Sequence, residues 1–305
     1  MQSCGPVASA APAGPRQALS GGAWRMLAAM VLSGTIGLVV VESGLPPPLV
    51  VLARCVLGAL GLGAWVWWRR QWVAVGRGDA LWIAAGGLAL VFNWVALFSA
   101  YRYTSIAVAT VVYHVQPLML LAVAAWQGEP VQARKLPWLL LALLGVALAS
   151  GAVTADGMAA GSWTGALLAL LAAALYTVTT VATRRVAHIP PAQVAMLQMA
   201  LGGGVLALAA APMLLAGSEQ GALQLSARVG ALMLVLGLVH TAFMYTLMYA
   251  AYQRLAAPAI AALSFVYPAV ALAVDLLWFG QVLTPAQWLG MGGIVVAVLV
   301  HRLGR

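Results

Sequence analysis

The chain has 305 residues, of which 64% are hydrophobic and only 7% are charged. A soluble domain usually carries about 25% charged residues, so 15 Lys and Arg with 6 Asp and Glu cannot cover a soluble surface of this size. The apolar runs are continuous rather than alternating, and each approaches the roughly 20 helical residues that cross a hydrocarbon core. We therefore predict an all-α integral membrane protein.

Ten apolar segments follow one another along the chain, and we predict that each is a transmembrane helix. Pro46, Pro47 and Pro48 separate the first two segments, and Pro190-Pro191 opens the seventh. Ten spans take about 200 residues, which leaves room for a tail and short loops. The predicted spans are 24–43, 49–68, 80–101, 105–126, 137–152, 163–183, 190–212, 227–249, 257–279 and 286–301.

Residues 1–20 are rich in Ala, Pro, Gly and Ser, and Arg16 is their only charged residue. They lack a basic stretch followed by an apolar core, so we expect a disordered cytoplasmic tail and not a cleaved signal peptide. Cys4 lies in this tail and Cys55 lies within the second predicted span. Neither cysteine has an evident partner, so we expect neither a disulfide nor a cysteine metal site.

The net charge of +9 follows from the way the basic residues are distributed along the chain. With the N-terminus in the cytoplasm, twelve Lys and Arg fall on the inner side, Arg102 and Arg228 fall outside, and Arg54 lies within a span. Such a bias sets the orientation of membrane proteins. It predicts a multi-pass protein of the bacterial inner membrane with both termini in the cytoplasm. The basic residues would meet anionic lipid, not nucleic acid.

Two parts of the chain match at a constant shift of 151 residues. Pro117 corresponds to Pro268, and the sequence Trp-Gln-Gly-Glu at 126–129 corresponds, one residue later, to Trp-Phe-Gly-Gln at 278–281. Five spans per half is an odd number, so the second half would enter the membrane in the opposite sense. We therefore predict two inverted five-helix repeats, an arrangement typical of secondary transporters.

These repeats comprise residues 24–152 and 163–301. The first half resembles the EamA-domain proteins of the drug/metabolite transporter superfamily in Ala100-Tyr101, Thr104-Ser105, Pro117 and Gly128-Glu129. The second half resembles them in 265–268, 280–284 and 288–290. The resemblance implies ten helices in two inverted halves, a central cavity and small-molecule transport, often export. Gln281 stands where the family often has Glu, so no acid role is expected there.

Pro117 and Pro268 fall near the middle of the fourth and ninth predicted spans. A proline inside a helix has no N–H and clashes with the carbonyl four residues before it. The carbonyls of Tyr113 and Ser264 would then be free, and in lipid they would need a polar cavity or another partner. The prolines therefore mark either simple kinks or hinges that line a cavity.

Polar side chains cluster around the two prolines. Tyr113 and Gln116 share one helix face, Ser264 and Tyr267 share another, and His114 lies at a different angle. Polar groups within the membrane tend to face the interior of a bundle. These five side chains are therefore candidates either for contact with a substrate or ion, or for hydrogen bonds that hold helices together.

Aromatic residues form a matching stripe on the third and eighth predicted spans. Asn93 beside Trp94 is a candidate for hydrogen bonding to a substrate, while Trp94 and Tyr245 are deep enough to stack on one. Packing, or a belt at the membrane interface, is the alternative for the stripe, and it is favoured for Tyr101 and Tyr252 near the span ends. The stripe consists of Trp94, Phe98, Tyr101, Tyr245, Tyr249 and Tyr252.

Few ionisable residues fall within the spans. Glu42 and Arg54 can reach each other across the proline-rich loop, and their ion pair would be structural or part of an outer gate. Asp275 is a candidate proton-coupling carboxylate, or else a solvated or paired acid near the interface. His240 is a candidate proton relay, with a neutral histidine hydrogen-bonded across helices as the alternative.

The chain lacks the H-E-x-x-H, G-x-S-x-G and P-loop motifs of enzymes and nucleotide-binding proteins. We expect no enzymatic activity, no cofactor and no metal. The function predicted is secondary transport of small metabolites, with export favoured, a lipid bilayer as environment and protons as a candidate coupling ion. A membrane-embedded enzyme acting on lipid-linked substrates and a non-transporting accessory subunit remain the alternatives. The substrate and the oligomeric state stay open.

Overall fold

The computed structural model describes residues 15–100, 103, 106–129, 133, 136–149, 163–219, 226–278 and 284–303. These residues form helices and turns, with no strand among them. The all-α class predicted from composition is thereby confirmed. Residues 1–14 of the predicted tail lie outside the described residues, and the first helix begins at Pro15.

The helices of the first half lie along the predicted segments, although the first helix begins at Pro15 and the first and fourth segments are each divided into two helices. They are α1 (Pro15–Gly34), α2 (Ile36–Ser43), α3 (Pro47–Trp68), α4 (Arg77–Ala100), α5 (Ile106–Tyr113), α6 (Gln116–Trp126) and α7 (Leu136–Ala149). The second half also contains a π-helical segment, Val235–Phe243, within the eighth predicted span. In chain order, the elements of the second half are α8 (Trp163–Arg185), α9 (Pro191–Glu219), α10 (Ala227–Leu234), the π-helical segment, α11 (Met244–Tyr252), α12 (Ala257–Ser264), α13 (Val266–Leu277) and α14 (Pro285–Leu303).

Six helical stretches of the described chain are long and apolar enough to cross a membrane. They are Gly21–Val40, Pro48–Trp68, Arg77–Ala100, Trp163–Arg185, Pro191–Ala209 and Ala227–Tyr252. Shorter apolar helical stretches run over Val111–Trp126, Leu136–Ala149 and Ala257–Ala271, and the first and third of these each contain a helix break. The protein is therefore a multi-pass membrane protein. Ten crossings and an inverted arrangement of the halves remain predictions.

The fourth and ninth predicted spans are each broken just before their proline. α5 ends at Tyr113 and α6 begins at Gln116, so Pro117 lies in the first turn of a new helix. Phe265 separates α12 from α13, and Pro268 lies in the first turn of α13. A proline is tolerated there because the first N–H groups of a helix have no partner within it. The prediction of prolines inside continuous helices was therefore wrong.

The most extensive helix contacts join the two halves of the chain. α4 packs against α8 and α9, α3 packs against α9 and the π-helical segment, and α7 packs against α14. Contacts within a half, such as those of α3 with α4, are much smaller. The hydrophobic core is therefore shared, and neither half could bury its interior surface without the other.

α7 and α14 meet through glycine. A Cβ added to Gly145 would lie 2.7 Å from the Gly290 carbonyl oxygen, and one added to Gly290 would lie 2.5 Å from the Gly145 carbonyl oxygen. Only hydrogen at these two positions lets the helix backbones come so close. Gly292 lies two residues after Gly290, and a Cβ added there would meet no atom within 4 Å. The contact at Gly145 and Gly290, which we name the glycine seam, ties the two halves together.

The outer surface of the helices is apolar. Trp67, Trp126 and Trp163 are more than 80% exposed, and each lies at or near the end of a helix. A water-soluble protein would not expose so many large apolar side chains. Tryptophan at helix ends is typical of the interface between hydrocarbon and water. This surface fits a lipid environment.

Candidate functional site

Two pairs of aromatic rings meet in the interior of the bundle. Trp94 on α4 lies edge-to-face against Tyr245 on α11, with the ring centroids 6.1 Å apart. The ring of His114 lies 6.3 Å from that of Phe265. In each pair the second residue lies 151 positions after the first, which is the shift found in the sequence. Residues equated by the sequence match are therefore in contact in the structure.

The aromatic row continues along α11. Tyr249 lies 5.4 Å from Tyr245 and 5.9 Å from Tyr252, measured between ring centroids. The Tyr252 hydroxyl is 2.9 Å from the Tyr176 hydroxyl on α8, and Tyr252 is only 2% exposed. The assignment of Tyr252 to an interfacial belt was therefore wrong. Its counterpart Tyr101 lies outside the described residues.

Tyr113, His114 and Tyr267 form a second aromatic group. His114 stacks on Tyr267 with the rings 5.4 Å apart and nearly parallel, and Tyr113 stacks on Tyr176 at 6.1 Å. His114, whose angle on a continuous helix left its place in the cluster open, stacks here on Tyr267 because the helix breaks at this residue. Gln116 is buried at the start of α6. We name this group, together with Trp94 and Tyr245, the central cluster.

Ser264, in contrast, is satisfied within its own helix. Its hydroxyl donates to the Ile260 carbonyl oxygen at 2.8 Å, one turn earlier in α12. Because the helix breaks at Phe265, Ser264 and Tyr267 belong to different helices and the shared face expected for them is interrupted. A ligand would have to compete with this local bond to engage Ser264.

Asn93 is fully buried and only partly hydrogen-bonded. Its Nδ2 donates to the Ala172 carbonyl oxygen at 2.7 Å, and it lies 3.4 Å from the Tyr113 hydroxyl. Its Oδ1 has no hydrogen-bond partner within the part of the chain that the structure describes. A buried acceptor without a partner costs about 1–3 kcal/mol. An N–H or O–H group of a ligand, or a water molecule, would remove that cost.

Arg54 lies beside the central cluster and does not pair with Glu42. Its Nε donates to Thr241 Oγ1 at 3.2 Å, and its Cζ lies 4.4 Å from the centroid of the Trp94 ring. Glu42 forms its ion pair with Arg228 instead. The expected Glu42–Arg54 pair was therefore wrong. Asp275 belongs to α13, and its side chain is outside the described set.

His240 lies in the π-helical segment and bonds across helices. Its Nε2 is 2.9 Å from Thr35 Oγ1, at the break between α1 and α2. Thr35 donates its hydroxyl hydrogen to the Leu32 carbonyl oxygen at 2.8 Å, so Nε2 is the donor toward Thr35. This geometry corresponds to the alternative considered for His240, a histidine held between helices.

A cavity of about 510 Å³ opens at one end of the bundle. Its wall includes Tyr252 from the aromatic row together with Arg184, Arg185, Arg254 and Glu129. Arg184 donates to both carboxylate oxygens of Glu129, at 2.7 and 3.0 Å. These bonds hold the pKa of Glu129 below its ordinary value. The cavity leads from a basic rim to the end of the aromatic row, and we name it the basic cleft.

Three polar residues of this region were not predicted from the sequence. Tyr176 joins the two aromatic groups, Thr241 accepts from Arg54, and Gln198 accepts a hydrogen bond from the Tyr249 hydroxyl. All three are polar residues within apolar spans. A polar residue within an apolar span tends to face the bundle interior. This rule, applied to the sequence, would have identified all three residues.

An apolar exterior and a buried row of aromatic and polar side chains define an α-helical membrane protein with a partly polar interior. The model of the EamA-like transporter family matches the chain twice, over residues 20–151 and 163–302. The protein therefore belongs to the EamA-like transporter family, and the resemblance seen in the sequence is confirmed. It is a membrane transporter of the drug/metabolite type.

Two similar proteins agree with this assignment. The chain is 29% identical over 293 residues to a protein of Bacillus subtilis (strain 168) named "Uncharacterized transporter YxxF", covering 92% of this chain and 90% of that one. It also superposes on a protein of known crystal structure with a TM-score of 0.78 and 20% identity, covering 92% and 96% of the two chains. The second likeness concerns the fold alone.

Proposed function

We propose that the protein is a secondary transporter of small metabolites that works by alternating access between two inverted five-helix repeats. The observation that carries this proposal is the contact of Trp94 with Tyr245 and of His114 with Phe265. Two repeats related by a two-fold axis bring equivalent residues together only where that axis passes. Contacts between such equivalent residues therefore support a symmetric site between the repeats, where inverted-repeat transporters bind their substrates.

The packing of the helices supports the same symmetry. Exchanging the halves exchanges the first segment with the sixth and the third with the eighth. The packing of α4 on α8 then corresponds to the packing of α1 on α11, and both contacts exist. Likewise the contact of α4 with α9 corresponds to that of the π-helical segment with α3. The proposed repeats comprise residues 24–152 and 163–301.

We place the protein in a bacterial inner membrane with both termini in the cytoplasm. Glu42 pairs with Arg228 at the end of the bundle assigned to the outside. The pairs of Glu129 with Arg184 and of Asp79 with His188 lie at the end assigned to the cytoplasm. Each pair joins residues that the predicted topology assigns to the same side. The basic cleft would then open to the cytoplasm, where a transporter for export takes up its substrate.

In this mechanism the broken helices are the moving parts. The breaks at His114 and Phe265 interrupt the regular backbone hydrogen bonds of the fourth and ninth segments, so bending there costs little. Pro117 and Pro268 keep these breaks from closing into continuous helix. The central cluster and Asn93 form the binding wall, with Gln116 and Ser264 beside the breaks. The candidates for proton exchange during transport are His114, His240, Glu42 and Asp275.

Reconstitution into liposomes tests the proposal. The full-length protein would be offered a panel of radiolabelled small metabolites, with and without a pH gradient, and we expect flux of at least one of them. Trp94→Ala should abolish this flux, whereas Trp67→Ala, at an exposed helix end, should not. No flux of any compound would favour an accessory subunit. A flux that is the same with and without the pH gradient would exclude proton coupling. It would also exclude a role of His114 and His240 in such coupling.

Cysteine labelling tests the topology. After replacement of Cys4 and Cys55, single cysteines at 47 and 155 should react with an impermeant reagent in intact cells. Single cysteines at 77 and 186 should react only after permeabilisation. The reverse pattern would overturn the orientation derived from the basic residues.

A further inference from the structure

Arg54 is a buried cation inside an apolar helix. It lies seven residues after the start of α3, about 10 Å along the helix axis, in the stretch Pro48–Trp68 that is apolar enough to cross a membrane. It is only 3% exposed. A charged side chain at such a place is costly and is retained where it serves a pathway or a ligand.

The contacts of Arg54 with described residues include no counterion. Nε donates to Thr241 Oγ1, and Thr241 passes its own hydrogen to the Leu236 carbonyl oxygen at 2.8 Å, so it acts only as a neutral acceptor. Trp94 covers one face of the guanidinium. No contact among the described side chains uses the two terminal nitrogens of Arg54, each of which carries hydrogen-bond donors.

The described carboxylates are all engaged elsewhere. Glu42 pairs with Arg228, Asp79 with His188 and Glu129 with Arg184. None of these pairs involves Arg54. The guanidinium is therefore held in place by Thr241 and Trp94, while its forked donors have no carboxylate partner among the described side chains and remain available to a bound anion.

We propose that Arg54 is the anion-binding residue of the central site, and that the transported solute carries a single carboxylate that binds there. This proposal rests on the transport function proposed above. A guanidinium fork matches the two oxygens of a carboxylate. Trp94 and Tyr245 provide an aromatic wall for the rest of the solute.

The choice of a carboxylate follows from charge balance. The described neighbours of Arg54 are Trp94, Thr241, Tyr245, Cys55 and His240. The first four carry no positive charge, and the Nε2–H of His240 is already engaged by Thr35. One carboxylate neutralises one arginine. A phosphate monoester carries about −1.5 to −2 at neutral pH, which would leave an uncompensated negative charge in a medium of low dielectric constant.

Arg69 provides a matched control on the same helix. It follows the last residue of α3, and its Cζ lies 5.3 Å from the Trp65 ring centroid. Both arginines therefore stack on tryptophan, but Arg69 is exposed to water and needs no counterion. Loss of Arg69 should leave anion binding unchanged, while loss of Arg54 should remove it.

Thermal stabilisation of the purified full-length protein tests the proposal. The probes are acetate, benzoate and phenylacetate. Each is compared with the corresponding neutral amide, and phenyl phosphate serves as the dianionic comparison. We expect at least one carboxylate to raise the denaturation midpoint while its amide and phenyl phosphate do not. Arg54→Gln should weaken that binding about tenfold or more, and Arg69→Gln should leave it as in the wild type.

Several outcomes would overturn the proposal. They are equal stabilisation by a carboxylate and its amide, no stabilisation by any carboxylate, preference for phenyl phosphate, or unchanged binding by Arg54→Gln. If Arg54→Gln does not yield monodisperse protein, Arg54→Lys replaces it, and we expect weaker binding with the preference for carboxylate over amide retained. An unaltered affinity in Arg54→Lys would contradict the forked contact.

The two proposals can fail separately. Binding of a carboxylate that depends on Arg54, without flux of any solute in liposomes, would end the transport proposal and leave the anion site in place. Flux that is equal in the wild type and in Arg54→Gln would end the proposal for Arg54 and leave transport in place.

Discussion

The glycine seam and the central cluster both join the two halves of the chain, but they are built differently. At the seam, Gly145 and Gly290 let two helix backbones touch, and the Gln287 amide beside them is satisfied by the Ala149 carbonyl oxygen. Beside the central cluster, Asn93 has a buried oxygen, and Arg54 has donors, that no described residue pairs with. Close packing and satisfied groups contribute stability, whereas unsatisfied buried groups cost stability and provide binding capacity. The difference separates the part that holds the halves together from the part that would bind a solute.

The largest effect on stability is expected at the glycine seam. Gly290→Ala places a methyl group against the backbone of α7, so the helices must separate, and such overpacking costs about 1–3 kcal/mol. Gly292→Ala is the matched control because a Cβ there meets nothing within 4 Å. We expect a lower denaturation midpoint in detergent for the first variant only. Equal denaturation midpoints for Gly290→Ala and Gly292→Ala would show that α7 and α14 are not as closely packed at Gly290 as the structure indicates.

Asn93, which lies beside the central cluster, should behave in the opposite way. Asn93→Leu removes the unpaired oxygen together with the bond to the Ala172 carbonyl, and the two changes partly cancel, so the denaturation midpoint should move little. Solute flux in liposomes should fall about tenfold, the effect of losing one ligand hydrogen bond of about 1.4 kcal/mol. A strongly destabilised variant with full flux would make Asn93 a structural residue.

A smaller effect is expected where the aromatic row meets the basic cleft. Tyr252→Phe removes the hydroxyl that lies 2.9 Å from the Tyr176 hydroxyl and leaves the ring in place. Loss of one such bond costs about 0.5–1.5 kcal/mol, which thermal denaturation would detect. Tyr103→Phe, at a half-exposed tyrosine in a loop, is the control and should have no effect. A double variant with Tyr176→Phe should cost less than the sum of the two single variants, because they share this bond and Tyr176→Phe removes in addition only the weak contact with Met248 Sδ.

The smallest effect concerns pH and the pair of Glu129 with Arg184. Because the hydrogen bonds from Arg184 lower the pKa of Glu129 in the folded protein, the pair stabilises the fold above the ordinary carboxyl pKa of 4.5. This contribution should disappear as the pH falls below that value through the folded-state pKa. Glu129→Gln should lower stability slightly at pH 7 and make no difference at low pH. The partly exposed pair is worth less than about 1 kcal/mol.

Much of the helical framework could be predicted from the chain. The proline-rich loop at 46–48 does separate α2 from α3, and Pro191 does begin α9. Apolar length and breakers are local properties, so they survive folding unchanged. The match at a shift of 151 residues likewise selected Trp94 and Tyr245, which the structure brings into contact.

The errors and open points concern residues whose role depends on a distant partner. On a continuous helix the angle of His114 did not decide whether it joins its neighbours, and the break at that residue places it on Tyr267. Tyr252 was placed in a belt because it lies near a span end, yet α8 covers it. Distance along a span does not say which helix will pack over a side chain.

The sequence by itself determined that this is a helical membrane protein of the EamA-like family with two matching parts, because hydrophobicity and repeated motifs are properties of the chain alone. Only the tertiary structure decided how the charges are shared. Glu42 pairs with Arg228, which is far away in the chain, and leaves Arg54 to Thr241 and Trp94. An ion pair is set by the distance between two side chains in space, and that distance exists only after the two halves have packed together.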